Sequence, residues 1–352
     1  MTTSTGVRKL PERPLDLDGH LRTYGPPAFP SSTAALTAEL AAAGVVGRGG
    51  GGFPAARKIG AVGRARTVVA NGCESEPFSR KDRVLLERSP HLVLDGLLVL
   101  ARTLGAEPVL CAREHVPEAA RRAAGERGVR VVVVPGGYVS SEESALANFL
   151  RTGVALPTAK PPRPTDLGVL VHNVETLADV ALVVRLGAER YREQATRLAT
   201  VTGDVARPGV VETRASATVG DLLDLAGPTA PLGAVLAGGY GGRWVRPDEP
   251  LRGSGVLAAL RADRCGLCET TRVLRWLASQ SARQCGPCRF GLPAIAEDFA
   301  TGAWDRLRTR LPVVTGRGAC AHPDGAVRLA ASALELFPHR TSTHPVHCGG
   351  SR

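Results

Sequence analysis

The sequence feature that most restricts the fold is a set of three cysteines in the last quarter of the chain. Cys285 and Cys288 are separated by two residues, so one tight turn can direct both thiolates at a single centre. Cys320 reaches that centre only if the chain folds back. Four-ligand cages of this kind hold iron–sulfur clusters or zinc. Ala282 stands where a C-x2-C-x2-C run has its first cysteine, so the sequence predicts a redox-metal site with one ligand unassigned.

The fourth ligand is open at this point. The candidates are Cys265, Cys268, His322 and Cys348. Alternatives are an exchangeable ligand, zinc in the same cage, or no cluster at all. Cys265 and Cys268 also fit a simpler role as small buried residues. Eight cysteines, several in C-x2-C pairs and without an export signal, favour metal or redox chemistry over disulfides.

The charge balance narrows the range of partners. The 352 residues carry 44 lysines and arginines against 33 aspartates and glutamates, a net charge of +11, and few of the cations are lysines. Solvated basic faces explain this simply, and a docking surface for an acidic ferredoxin-like protein is the functional alternative. An aromatic content of 4% argues against nucleic-acid binding. Without an apolar run of membrane-spanning length or a signal peptide, we expect a cytoplasmic protein with no membrane span.

Strand and helix patterns alternate after residue 46. The predicted strands are residues 67–70, 108–112 and 129–134, the last two buried. The predicted helices are residues 92–104, 117–127 and 141–150. Such alternation builds βαβ units and a mostly parallel sheet. Residues 1–45 are rich in proline and then in alanine, which predicts a loose start and one helix.

Two further units follow. A strand–turn–strand pattern at 200–212, a helix capped by Thr218 and a strand at 234–237 indicate a small β-grasp module, and from Leu257 onward helical patterns dominate. The predicted organisation is an N-terminal extension at 1–45, an α/β domain at 46–195, a β-grasp domain at 196–247, a helical metal-binding domain at 248–340 and a tail at 341–352.

A glycine-rich loop precedes the first strand. Glycines remove side-chain obstruction, so the backbone amides of such a loop can bind a phosphate. It is not a Walker loop, and a flexible turn is the alternative for a glycine run alone. Phe53, which can stack on a nucleotide ring, and Lys58, which can neutralise phosphate, favour a nucleotide site. The predicted cofactor-binding residues of this segment are Gly47, Arg48, Gly49, Gly50, Gly51, Gly52, Phe53 and Lys58.

Three later segments make the combination specific. They are NGCESEP at 71–77 with KDR at 81–83, GYVSSEESAL at 137–146, and HNVETL at 172–177. Together with the loop and the cysteines, they resemble, in the same order, the NADH-binding flavoprotein subunit of respiratory complex I and of related hydrogenases and formate dehydrogenases. In that family the segments read GRGGAGFPTG, NADEGEPG with KDR, YICGEETAL and NNVETL, and the cluster motif reads SCGxCxPCR before a later cysteine. The resemblance covers about residues 44 to 337.

The resemblance implies an α/β fold with a Rossmann-like FMN domain, a ubiquitin-like β-grasp domain of the SLBB type and a C-terminal helical bundle with a [4Fe–4S] cluster. It implies electron transfer from NAD(P)H through FMN and the cluster to a ferredoxin-like or other partner subunit. Glu142 and Glu143 are implied to orient the nicotinamide; carboxylates favoured by a helix dipole are the simpler alternative. Further implied cofactor contacts are Asn71, Glu74, Glu76, Tyr138, Asn173 and Thr176. The implied cluster ligands are Cys285, Cys288 and Cys320.

The nucleotide site departs from the family pattern. Aromatic rings that the family tends to carry near Ala61 and Arg163 are missing, and each ring contributes about 1 kcal/mol of stacking. The choice between NADH and NADPH is therefore open. Cys73 also replaces the family's aspartate. A non-catalytic scaffold subunit, with a cluster or zinc and a decayed flavin site, is the alternative function.

Overall fold

A parallel sheet organises the first unit. In the computed structural model, which describes residues 8–250 and 253–338, its strands are β1 (Thr67–Gly72), β2 (Glu107–Ala112), β3 (Arg130–Val133) and β4 (Val169–Asn173). The helices of this unit are α1 (Leu17–Tyr24), α2 (Thr33–Ala42), α3 (Ala55–Gly60), α4 (Lys81–Arg88), α5 (Pro90–Leu104), α6 (Glu118–Glu126), α7 (Glu143–Thr152), α8 (Val174–Leu186) and α9 (Ala188–Gln194). The strand order β3-β2-β1-β4 corresponds to the first four strands of a Rossmann sheet, in which the strand order reverses between β1 and β4.

The two faces of β1 are covered by different helices. Val68 belongs to the large core built from α5 and α8, while Val69 packs with Leu146 of α7 on the other face. This alternation follows from the two-residue period of a strand. Gly96 lets α5 approach α8 closely, since a Cβ there would lie 1.9 Å from the Leu177 carbonyl oxygen. The sheet is therefore covered on both sides, and its carboxyl edge is left for ligands.

From residue 8 onward the N-terminal segment is packed and contains two helices, so for the described residues the prediction of a loose start with one helix is wrong. Lys9 is completely buried and Leu10 is 6% exposed. A second helix, α1, places His20 Nε2 2.7 Å from Asp95 Oδ2 of α5. These contacts join residues at least 75 positions apart in the chain. The proline-rich composition of the segment does not predict these long-range contacts.

The predicted buried strand at 129–134 is an edge strand. β3 pairs only with β2 in the sheet, and Val133 is 42% exposed. An apolar run predicts burial only where both faces are covered. At this edge the solvent reaches β3. The strand is therefore present as predicted, but the prediction that it is buried is wrong.

The second unit is a five-stranded sheet with one helix against it. Its strands are β5 (Thr196–Gly203), β6 (Gly209–Arg214), β7 (Leu232–Ala237), β8 (Arg243–Val245) and β9 (Val256–Arg261), in the order β6-β5-β9-β7-β8. The helix is α10 (Val219–Ala226), and Thr218 caps it as predicted by accepting from Asp221 N at 3.1 Å. Helices dominate from residue 266 as predicted, but the helical prediction from Leu257 missed β9, which pairs with β5 and β7. The boundary expected at residue 248 thus precedes the last strand of this sheet.

The third unit is a helical bundle. Its helices are α11 (Gly266–Ser279), α12 (Leu292–Ala300), α13 (Trp304–Val314) and α14 (His322–Leu336), with a π-helical turn at Pro287–Gly291 before α12. Leu274, Phe299 and Leu329 lie in its core. The predicted fold class is confirmed. Across the described ranges, no helix is both long and apolar enough to cross a bilayer.

Candidate functional site

The glycine loop joins α2 to α3 and is closed by its own backbone. Gly47 N donates to the Phe53 carbonyl at 2.9 Å. Gly50 and Gly52 have φ angles of +107° and +60°, which favour glycine. A Cβ placed on Gly51 or Gly52 would meet no atom within 4 Å. The loop therefore presents bare backbone to open space, as contact with a phosphate requires.

Arg48 anchors this loop over the start of α8. Its backbone N donates to Thr176 Oγ1 at 2.9 Å, and its Nε donates to Asp179 Oδ2 at 2.8 Å. The Asp179 carboxylate raises the pKa of Arg48 above its usual range. Two residues predicted to bind cofactor, Arg48 and Thr176, thus contact each other and hold the loop.

A buried ion network lies beneath the loop. Lys9 Nζ lies 2.6 Å from Asp179 Oδ1 and 3.4 Å from Glu175 Oε1. Lys81 Nζ lies 3.0 Å from Glu175 Oε2, and these four side chains are at most 3% exposed. Burial alone would raise the pKa of Glu175, but Lys81 and Lys9 lower it, so this carboxylate is ionised. The network fixes the N-terminal segment, the loop, α4 and α8 relative to one another.

Asn71 and Asn173 lie side by side at the carboxyl ends of β1 and β4, where they are paired in register. Asn71 Nδ2 donates to the Ser141 carbonyl at 2.9 Å, and Asn173 Nδ2 donates to Asp82 Oδ2 at 2.7 Å. A Cβ on Gly49 would lie 3.5 Å from Asn173 Cβ, so the glycine loop passes directly over this edge. Ligands of parallel sheets usually bind in crevices outside such strand ends.

Glu74 is engaged in capping α4. Its Oε1 accepts from Ser79 Oγ at 2.6 Å and from Asp82 N at 2.9 Å, and its Oε2 accepts from Arg83 N at 3.0 Å. The backbone of Glu74 has a φ of +36°, in the left-handed region that non-glycine residues rarely adopt. Its role as a cofactor contact stays a prediction.

Glu76 and Tyr138 lie where the three units meet. Tyr138 Oη donates to Glu76 Oε2 at 3.1 Å, and Tyr240 N of the second unit donates to Glu76 Oε1 at 3.0 Å. Burial raises the pKa of Glu76 to about 7. The Tyr138 ring stacks edge-on against Trp276 of α11 and His322 of α14, with centroids 5.1 and 5.4 Å apart. These two predicted cofactor contacts therefore also join the domains.

Glu142 and Glu143 form a second, more accessible ion network. Glu142 Oε2 accepts from Ser144 N at 2.8 Å and caps α7, while its Oε1 lies 3.1 Å from Lys160 Nζ. Glu143 is ion-paired with Lys58 and lies 3.6 Å from Lys160. Burial would raise the pKa of Glu143, but Lys58 and Lys160 lower it. These side chains are 20–34% exposed, so an incoming ligand can exchange with the ion pairs.

The three predicted cluster ligands gather near the C-terminal end of α11. The thiols of Cys285 and Cys288 are hydrogen-bonded to each other, and Cys320 lies within electrostatic range of both. Burial raises the pKa of Cys288 to about 11 and also raises that of Cys320. Within residues 8–250 and 253–338, no three His, Cys, Asp or Glu side chains are arranged to hold a single metal ion. The ligand set stays a prediction.

Three family models match the chain. Residues 40–182 match the Nuo51 FMN-binding domain, residues 198–239 the SLBB domain, and residues 268–344 the NADH-ubiquinone oxidoreductase-F iron-sulfur binding region. The chain belongs to the family of NADH-binding flavoprotein subunits. The three models follow the α/β, β-grasp and helical units of this flavoprotein in order.

Individual relatives of this flavoprotein support the same assignment. The second F subunit of NADH-quinone oxidoreductase in Rhizobium meliloti is 28% identical, covering 83% of this chain and 84% of the relative. The F subunit of the same enzyme in Salmonella typhimurium is 29% identical, covering 86% and 82%. A NAD+-reducing [NiFe]-hydrogenase in the H2-reduced state matches with a TM-score of 0.82 and 28% identity, covering 89% of this chain and 63% of that one. The chain thus spans less than two thirds of the hydrogenase chain.

Two features of this family member were not foreseen from its sequence. Cys268 is disulfide-bonded, contrary to the expectation that its cysteines favour metal chemistry over disulfides. Ser254, in the loop between β8 and β9, has a buried Oγ without a hydrogen-bond partner, and a Cβ on Gly50 would lie 3.7 Å from its own Cβ. This hydroxyl reaches the glycine loop only because the β-grasp unit docks there, so no local sequence signal predicts it.

Proposed function

We propose that this chain passes electrons from a reduced nicotinamide dinucleotide through FMN to an iron–sulfur cluster and on to a partner protein. The position of Cys320 is the main support. The ring of His322, two residues further on, packs against Tyr138 with centroids 5.4 Å apart, and the Cys320 thiol lies within electrostatic range of Glu142 and Lys160. Because electron tunnelling falls steeply with distance, a cluster ligand so close to the nucleotide edge suits transfer between the two.

The glycine loop and two asparagines would hold FMN. The amides of Gly51 and Gly52 are unobstructed by side chains, which fits a phosphate. The side-chain amides of Asn71 and Asn173 lie at adjoining strand ends, where they would meet the ring system. When bound, FMN supplies the chemistry that takes up two electrons together and releases them singly.

Glu143 and Lys58 would bind the nicotinamide nucleotide by exchanging their ion pair for ligand contacts. The Glu143 carboxylate would accept a hydrogen bond from the carboxamide or ribose and so orient the reacting carbon. The Lys58 ammonium, released from Glu143, would neutralise a phosphate. Both side chains are partly exposed, which this exchange requires.

The surface beside the cysteine turn suits the docking of an acidic, ferredoxin-like protein that accepts the electrons. Arg283 and Arg289 are exposed beside the cysteine turn, and Phe290 is 70% exposed. The Arg289 guanidinium lies 5.6 Å from the Phe290 ring centroid. Arginine and aromatic residues are enriched at protein interfaces, and a basic patch steers acidic partners. We assign the subunit to the cytoplasm, where such partners and reduced nicotinamides are found.

Anaerobic purification followed by nucleotide titration tests the proposal. We expect one FMN per chain, iron with acid-labile sulfide, and bleaching of the flavin absorbance on addition of NADH or NADPH. Titrating both nucleotides separately identifies the donor. Protein that contains FMN but does not bleach with either nucleotide would contradict the electron-donor part of the proposal.

The missing rings favour one alternative, a scaffold subunit with a decayed flavin site. Ala61 and Arg163 are both exposed and offer no aromatic surface to an adenine. In that case purified protein would lack flavin even after incubation with FMN, and metal analysis would find zinc or iron alone. Iron with sulfide together with bound FMN excludes the scaffold function.

A further inference from the structure

The cluster region leaves one coordination position without a cysteine, and any assignment of its ligand rests on the proposed function. Ala282 has no donor atom. The neighbouring Ser281 hydroxyl is already engaged, because it accepts from Arg283 N at 3.1 Å and donates to the Cys288 carbonyl at 3.3 Å. The fourth ligand must therefore come from another part of the fold.

Helix α11 separates Cys265 and Cys268 from the other cysteines. Cys265 is the residue before the helix and Cys268 is in its first turn, whereas Ser281 and Cys288 follow its last turn. A helix of 14 residues is about 20 Å long, which is much more than the width of a cluster. Cys268 is in addition disulfide-bonded. Cys348 lies outside the described residues.

His322 has a free ring nitrogen lone pair at the C-terminal end of α11, which is the end that the cysteine turn follows. Its ring Nε2 lies 2.9 Å from the Leu277 carbonyl oxygen in the last turns of that helix. Because a carbonyl can only accept, Nε2 carries the proton, and Nδ1 is left with its lone pair. Nδ1 is buried and has no hydrogen-bond partner. The backbone N–H of His322 also donates to the thiol of Cys320.

We propose that His322 Nδ1 is the fourth ligand of the cluster, completing a cage with Cys285, Cys288 and Cys320. The arrangement of its other nitrogen supports this, since histidines that bind metals usually donate the second ring N–H to a carbonyl or carboxylate. A neutral imidazole in place of a thiolate removes one negative charge from the cage. We therefore expect a higher reduction potential than that of an all-cysteine cluster, as His ligands raise it in Rieske centres.

Pulsed electron paramagnetic resonance of the reduced, anaerobically purified protein tests the ligand directly. A nitrogen bound to iron gives a strong ¹⁴N coupling, and we expect four irons per chain. In His322→Ala we expect loss of that coupling and of one iron in four, with the signal of a three-iron cluster in the oxidised state. In His322→Cys we expect four irons, no strong ¹⁴N coupling and a lower potential.

A double variant guards against a simple folding defect. Ala282→Cys combined with His322→Ala moves the fourth ligand back into the cysteine turn, and we expect it to restore four irons without the ¹⁴N coupling. His115→Ala, at an exposed position, is the matched control for loss of a histidine and keeps both the iron count and the coupling.

The outcomes separate this inference from the proposed function. Four irons in His322→Ala, or a wild-type spectrum without strong ¹⁴N coupling, overturns the histidine ligand and leaves the electron-transfer function intact. Protein that binds neither iron nor sulfide after reconstitution overturns the cluster itself, and with it both proposals.

Discussion

The chain uses lysine in two places that differ in burial, and the difference separates structure from ligand binding. Only four of its 44 cationic residues are lysines, and all four lie at the candidate site. Lys9 and Lys81 belong to the network beneath the glycine loop and are 0% and 3% exposed. Lys58 and Lys160 belong to the network around Glu142 and Glu143 and are 21% and 34% exposed.

The same pairing of lysine with carboxylate has different consequences in the two places. In the buried network, water cannot replace a lost partner, so removal of one charge leaves another stranded. In the accessible network, water and salt screen the charges, and each pair is weak. The buried network is therefore suited to fixing the loop, and the accessible one to exchanging its ion pairs for a ligand.

Lys9→Met should have the largest effect on stability, because it removes one cation from the buried network. Met fills a similar volume but leaves Asp179 and Glu175 with one cation fewer in a dry site, so we expect a loss of about 3 kcal/mol or more of unfolding free energy. Denaturant unfolding measures it. The neighbouring Arg8→Met is the matched control, because Arg8 is 56% exposed and its ion pair with Glu212 is long, at 3.7 Å. Equal losses in both variants would contradict the structural role of the buried network.

Glu76 sharpens the comparison because it is a buried carboxylate with hydrogen bonds but no lysine. Its folded pKa of about 7 lies above the ordinary value of 4.5. Between pH 4.5 and pH 7 the folded protein therefore keeps the proton on Glu76, whereas the unfolded chain loses it. The stabilisation from the protonated side chain is complete below pH 4.5 and is lost as the pH rises through 7. We expect the free energy of unfolding to fall by about 3 kcal/mol as a result.

Unfolding of the wild type and of Glu76→Gln between pH 4.5 and 7.5 measures that loss. Glutamine can accept from Tyr240 N through its one oxygen and donate its amide N–H to Tyr138 Oη. It does not titrate, so the free energy of unfolding of this variant should vary less with pH. If the two curves run parallel, Glu76 does not titrate in this range, and the contrast between paired and unpaired carboxylates fails.

Glu143→Gln tests the accessible network. A hydrogen bond to a charged group contributes about 1.5–3 kcal/mol, so we expect kcat/KM for the nicotinamide donor to fall roughly tenfold or more. The unfolding free energy should change by less than about 1 kcal/mol. Activity is followed with an artificial one-electron acceptor. The control is Glu107→Gln, an exposed ion-paired carboxylate on β2, and a similar loss there would rule out a specific role for Glu143.

The sequence predicted well those features that depend on local patterns. The strand that leads into Asn71 and the cap at Thr218 follow from apolar periodicity and capping chemistry, and both are present. Features that depend on distant partners were missed. Lys9 and β9 acquire their roles from residues more than fifty positions away, and tertiary pairing overrides local propensity there.

The candidate site shows the same division. The motifs identified which residues gather at the sheet edge, but not how each side chain is used. Arg48, Thr176 and Glu74 were predicted as cofactor contacts, and in the structure they hold the loop and α4 in place. Spacing in a sequence identifies neighbours along the chain. It does not specify which of several hydrogen-bond partners a side chain will choose.

Lys160→Met should have the smallest effect. Lys160 lies in the linker before β4, and its pairs with Glu142 and Glu143 are 3.1 and 3.6 Å long at a partly exposed position. We expect less than about 1 kcal/mol of lost stability, and an effect on KM of about threefold that disappears in 1 M salt, where the screening length is about 3 Å. Steady-state kinetics at low and high salt measure it. An effect on KM larger than that of Glu143→Gln would mean that the linker, and not the first turn of α7, is the main contact of the nucleotide.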